Sequence, residues 1–143
     1  MLRILSHSSG FFYLYSRSRP SGFSSYSTWG NPKTVLLHHI IPIKHGGDTA
    51  ADNLALSCLS CNRHKGSDFV TIDQVTKEIV PLFNPRLQVW DEHFCIENAR
   101  IEGKTQIGQV TSRLLQFNIP NRVLERQVLI SQSQYPDPKF SSM

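Results

Sequence analysis

At 143 residues the chain is sized for one domain with a modest core. A hydrophobic fraction of 39% and the absence of any long apolar run argue against a membrane-spanning helix, which needs roughly 20 apolar residues. The formal charge of +4 suggests a nucleic-acid partner, but its distribution weakens that signal. Residues 1–47 hold five bases (Arg3, Arg17, Arg19, Lys33, Lys44) and no acid, whereas residues 48–143 hold ten bases against eleven acids, a balance of −1. A basic arm assists phosphate binding, yet the pI alone decides nothing. Three cysteines, two of them as C-x-x-C, make no disulfide framework. They point to a reducing compartment, with metal binding or redox chemistry open to the pair.

Residues 1–33 are Ser-rich and acid-free and read as a poorly ordered arm. "GFFYLY" is too short and interrupted for a signal-peptide core, although Arg and Ser without acids also resembles a transit peptide. From Thr34, "TVLLHHIIP" reads as a strand stopped by Pro42. "IKHGGDTAADN" is a loop broken at Gly46-Gly47, "LALSC" a short second strand, and "CLSCNRHKGSD" a turn into a short helix ending near Gly66. "FVTIDQVTKEIVPLF" holds two β-rich runs around "DQVTKE", and "PLFNPRLQVWDEHFCIENARIEG" mixes turns with a hairpin. In "TQIGQVTSRLLQFN" the apolar Ile107, Val110, Leu114 and Phe117 have the spacing of an amphipathic helix. "IP" interrupts, and "NRVLERQVLISQSQ" gives a second helix. The expected organisation is an arm over 1–33, a domain over 34–135 and a polar tail over 136–143. Its fold class is α+β, a strand–loop–strand–helix unit followed by β hairpins and two C-terminal helices.

The chemistry concentrates in "HHIIPIKHGGDTAADNLALSCLSCNRHKG", residues 38–66. His38 and His39 are neighbours at a strand end. Regular pairing sends neighbours to opposite faces, but at a strand end beside Pro42 and a loop that alternation can break, leaving one imidazole to hold a metal and the other free as a base. Histidine suits both tasks, with an unperturbed pKa of about 6.5 and a neutral ring that binds metals. Asn53, at the start of the second strand, can fix the loop or a histidine tautomer through its amide. Asn62, expected to open the helix, offers a hard oxygen to a Mg²⁺-like ion. Lys44, Arg63, His64 and Lys65 are suitable phosphate contacts, though exposed charges are usually only solvated.

In order and spacing, His38-His39-Ile40-Ile41-Pro42, Gly46-Gly47, Asn53-Leu54 and Cys58-Leu59-Ser60-Cys61-Asn62 with Lys65-Gly66 resemble the HNH endonuclease motif, the ββα-metal nucleases. Similarity to small bacterial HNH proteins extends over residues 34–130. The resemblance implies His39 as the general base, Asn53 as the residue that orients His39 or braces the loop, and His38 and Asn62 as ligands of one divalent metal. Mg²⁺ is the first expectation for that metal, with Mn²⁺, Ni²⁺ or Zn²⁺ as alternatives. It further implies DNA as substrate and products with a 5′-phosphate and a 3′-hydroxyl; nothing in the residues indicates a membrane, and a cytoplasmic protein is the default expectation.

Two departures from the family pattern matter. Many relatives have Asp or Glu where this chain has His38. Relatives of the four-cysteine type also carry a second C-x-x-C before the first strand and hold a structural zinc, whereas residues 1–37 contain no cysteine. A segment replaced by a shifted start or a rearranged gene would account for this. Cys58 and Cys61 therefore form at most an incomplete zinc site, since four ligands are normal. His64 stands three residues after Cys61, and His7 is too distant to place. Buried small residues are an equal reading of the pair. Cys95 reads as inert, and Trp29, Trp90 and the Phe residues as core. Two alternatives to a nuclease stand: a relative that binds nucleic acid without cutting it, and, more weakly, a C-x-x-C redox protein.

Overall fold

The computed structural model describes Phe12–Tyr13 and residues 35–133. The expected arm 1–33, those two residues aside, and the expected tail 136–143 lie outside them. Strand β2 (Val35–His39) runs antiparallel to β3 (Leu54–Cys58), with His38 opposite Ala55 and His39 opposite Leu54. A two-residue strand β1 (Phe12–Tyr13) pairs with the other edge of β3. Helix α1 (Leu59–Lys65) follows β3 without a loop, because Cys58 is extended and its sulfur accepts from the Cys61 N–H at 3.4 Å as the cap. Strand, loop, strand and helix stand in the order the residues suggested.

Two further antiparallel pairs follow, β4 (Val70–Ile72) with β5 (Ile79–Pro81), and β6 (Phe94–Glu97) with β7 (Arg100–Gly103), the short helix α2 (Trp90–His93) lying between them. Asn98 and Ala99, both at positive φ, form the two-residue turn of the second hairpin. Helix α3 (Gln106–Leu114) is capped by the Thr105 hydroxyl and packs on β7, and α4 (Pro120–Ser131) begins with proline at its first turn, where no N–H is missed. Phe117 does not lie on α3. The helix stops at Leu114, Gln116 turns left-handed at φ 52°, and Phe117 enters the core from beyond the helix. No helix among the described residues is long and apolar enough to cross a membrane.

The core gathers Phe83, Trp90, Phe94, Ile101, Leu115 and Phe117, and it includes Cys58 and Cys61. The start of α1 is thereby sealed against the C-terminal half. Helix α4 meets this core in an unusual way. Its buried residues are Arg122 and Arg126, one turn apart on one face, while Leu124 is 61% exposed. The arginines find most of their partners in backbone carbonyls of the segment after α3 and of the β6–β7 turn. Arg122 Nη1 donates to Leu115 O at 2.6 Å and to Gln116 O at 3.1 Å. Arg126 donates to Phe117 O at 2.7 Å, to Asn118 Oδ1 at 3.1 Å and to Ala99 O in the hairpin turn.

Phe94 stacks on Trp90 at 4.1 Å between ring centroids and meets the Phe83 ring edge-on at 5.2 Å, with almost no exposure. Phe94→Ala is expected to cost about 3–5 kcal/mol in denaturant unfolding. A loss below about 1 kcal/mol would place the core elsewhere.

Candidate active site

The β2–β3 ladder stays regular to its last pair, and the alternation does not break at the histidines. His38 and His39 point to opposite faces and live in different surroundings. His38 is buried beside Ser57, with Nδ1 2.8 Å from Ser57 Oγ. Burial, then the nearby Lys65 ammonium, then His39 lower its pKa to about 4, so its ring is neutral at ordinary pH. His39 is half-buried and its Nε2 lies 2.9 Å from Thr49 Oγ1. Strand geometry separates the two rings chemically as well as spatially.

The loop from 40 to 53 holds Thr49 in place, and Asn53 holds the loop. Its Oδ1 accepts from the Ile41 N–H at 2.9 Å, while Nδ2 donates to Ile41 O at 2.9 Å and to Asp48 O at 2.8 Å. The Asn53 backbone carbonyl accepts from the Ile40 N–H at 2.8 Å. Asn53 closes a 3-10 turn (Ala51–Asn53) one residue before β3 rather than opening the strand. Gly46 sits at φ 87°, a conformation that costs other residues strain. Gly47 is needed for room, since a Cβ there would lie 1.8 Å from Ile41 O and 2.8 Å from Asn53 Nδ2. The paired glycines therefore serve one turn and one close backbone approach.

Helix α1 packs against both β2 and β3. Asn62 is its fourth residue, not its first, and is half-buried. It stands three residues before Lys65, on the same helical face. Lys65 is only 4% exposed and donates from Nζ to His39 O at 3.1 Å. Burial lowers its pKa to about 8, with Asp68 opposing. The ammonium of Lys65, one of the four residues read as suitable phosphate contacts, is turned inward. Lys44 and Arg63 are exposed and His64 is half-buried. The Lys65 ammonium thus lies near His38, Asn62 stands on the α1 face it shares with Lys65, and His39 meets Thr49 of the loop.

A neutral imidazole and an amide oxygen on facing elements fit a divalent metal that keeps part of its water shell. Among the described residues no group of three His, Cys, Asp or Glu converges to hold a metal, so Cys58, Cys61 and His64 do not do so. Cys61 is fully buried, and its pKa is raised by the hydrogen bond with Cys58 and by burial, against the pull of Arg122. No cysteine among the described residues forms a disulfide.

Residues 30–68 match the HNH endonuclease family model. Every candidate residue lies inside that span. The matched segment points in general terms to a nuclease or related nucleic-acid function. No curated protein and no solved structure matches the chain.

Thr49, Ser57 and Arg86 are contributors that sequence reasoning missed. The Arg86 guanidinium donates twice to Leu54 O, at 2.9 and 2.8 Å, and so fixes the start of β3 opposite His39. None of the three lies at a motif position, and only the fold brings them to the site.

The depressed pKa of His38 has a signed consequence. The unfolded chain binds its proton near pH 6.5 and the folded one only near 4, so stability from this group is complete above about 6.5 and falls as pH drops toward 4. The loss is on the order of 3 kcal/mol. His38→Gln is expected to flatten that part of the stability–pH curve in urea titrations, and an unchanged slope would contradict the burial.

Proposed function

We propose that the HNH segment is a DNA endonuclease in which His39 is the general base that takes a proton from the attacking water. The observation that carries this reading is the His39–Thr49 contact of 2.9 Å, within the segment that matches the family. In the tautomer whose Nε2–H donates to the Thr49 hydroxyl, Nδ1 carries the lone pair and is the proton acceptor. Thr49 acts as a positioning residue, and Asn53 acts one step behind it by bracing the loop rather than by touching the His39 ring.

His38 and Asn62 are the residues that would hold a divalent metal, which when bound supplies positive charge for the scissile phosphate and the leaving oxygen. The neutral state of His38 keeps its ring able to act as a ligand near pH 7. Exposed Lys44 and Arg63 suit the phosphates flanking the cut. A second reading, a relative that binds nucleic acid without cutting, is favoured by one observation: the Lys65 ammonium lies close enough to His38 to lower its pKa and opposes a dication there.

Plasmid nicking with the full chain in Mg²⁺, Mn²⁺ or Ni²⁺, with an EDTA control, separates the two. The nuclease is expected to nick only with metal, and His39→Ala to slow it by about 10²–10⁴-fold. Thr49→Val should fall between them. Folded wild-type protein that binds DNA but nicks it with none of these metals would leave the non-cutting reading.

A further inference from the structure

The guanidinium of Arg122 lies against the C-x-x-C pair. Nη2 is 3.0 Å from Cys61 Sγ and 3.9 Å from Cys58 Sγ, while Nη1 is held by the Leu115 and Gln116 carbonyls. The same group stands 5.6 Å over the Phe117 ring, and Arg122 is only 5% exposed. Among the described residues its polar partners are carbonyl oxygens and these two sulfurs. This is a closed site with a cation already in it.

A structural zinc at the pair does not fit this arrangement. Zinc needs four ligands in a tetrahedron, and the described residues bring no third His, Cys, Asp or Glu to the sulfurs. The dication would also share the sulfurs with a fixed positive charge 3.0 Å from one of them, in a low-dielectric wall where like charges repel strongly. We propose that Arg122 is the built-in cation of the Cys58–Cys61 pair, taking at this junction the place of the metal that four-cysteine relatives hold. In doing so it joins the capped start of α1, which carries Asn62, to the end of α3 and to α4. A fork of N–H donors suits this role, because it reaches two sulfurs on one side and two carbonyls on the other. The Cys–x–x–Cys spacing matters because it sets both sulfurs at the first turn of one helix, where one guanidinium edge meets them together. Arg122 was invisible as a partner of the pair because 61 residues separate it from Cys61.

The test uses the full-length reduced chain and does not depend on cleavage. Protein expressed in zinc-supplemented medium is expected to carry far less than stoichiometric zinc, and its thermal midpoint should not move with added zinc or with EDTA. Stoichiometric zinc lost together with stability in EDTA would overturn the proposal. Titration with an aromatic disulfide reagent should modify half-buried Cys95 first and leave Cys58 and Cys61 protected. Arg122→Met should raise the reactivity of those two by about tenfold or more, with Arg122→Lys intermediate. Equal protection in all three proteins would overturn it.

If Arg122→Met fails to fold, the Cys58→Ala/Cys61→Ala variant answers instead. It should be destabilised by the guanidinium left without its sulfur acceptors, and adding Arg122→Met should recover part of the loss. A triple variant that recovers none of the loss would overturn the proposal.

Discussion

The carboxamide of Asn53 is the constraint on which the site depends. One planar group accepts from Ile41 N–H and donates to Ile41 O and Asp48 O, tying both sides of the 40–53 loop to the first residue before β3. A loop of this length has many conformations and a real ordering cost. Three side-chain hydrogen bonds to its backbone, with the close approach of Gly47 to Ile41 O, select one. His39 precedes that loop and Thr49 lies within it, so the 2.9 Å contact between them exists because the loop is closed. Replacing Asn53 by a carboxylate would keep an acceptor for Ile41 N–H but remove both donations, which distinguishes an amide from an acid at this position.

Behind the hairpin, the C-terminal half supplies rigidity. Arg86 fixes the Leu54 carbonyl, and the cysteine pair seats the start of α1 in the aromatic core. The core is closed on α4's side by arginines rather than leucines. Buried guanidinium groups are costly unless their donors are met, and here the acceptors are carbonyls of the segment that follows α3 and of the β6–β7 turn. Removing either arginine would leave those carbonyls unsatisfied as well as open space, so the two sides of each contact depend on one another.

Much of the hairpin–helix unit was legible because its signals are local. The apolar run up to Pro42, the Gly46-Gly47 break and the short helix ending near Gly66 are all set by neighbours in the chain. The β4–β5 turn was legible for the same reason: Asp73 Oδ1 accepts from the Val75 and Thr76 N–H groups at 2.7 and 3.1 Å, within four residues. What escaped the sequence depends on distant partners. Lys65 and Arg63 look alike in "NRHKG", yet helical phase turns one inward to His39 O and the other to solvent. Arg122 and Arg126 look like solvated charges on a helix whose apolar residues should face the core, and the carbonyls of the segment after α3 and of the β6–β7 turn explain the reversal. Asn62 was misplaced by three positions because Cys58, not Cys61, caps α1. Its helical face, shared with Lys65, follows from that corrected start.

The measurement that bears most directly on this account is amide hydrogen exchange at Ile41 in wild-type protein and in Asn53→Ala, with Ile101 as internal reference. The Ile101 N–H is held by a different asparagine, Asn118, at 2.8 Å, away from the loop. The account predicts that Ile41 exchange rises by about tenfold or more in the variant while Ile101 stays unchanged. Unchanged protection at Ile41 would mean that the loop is held by something other than the Asn53 amide, and that the positioning of His39 must be explained another way.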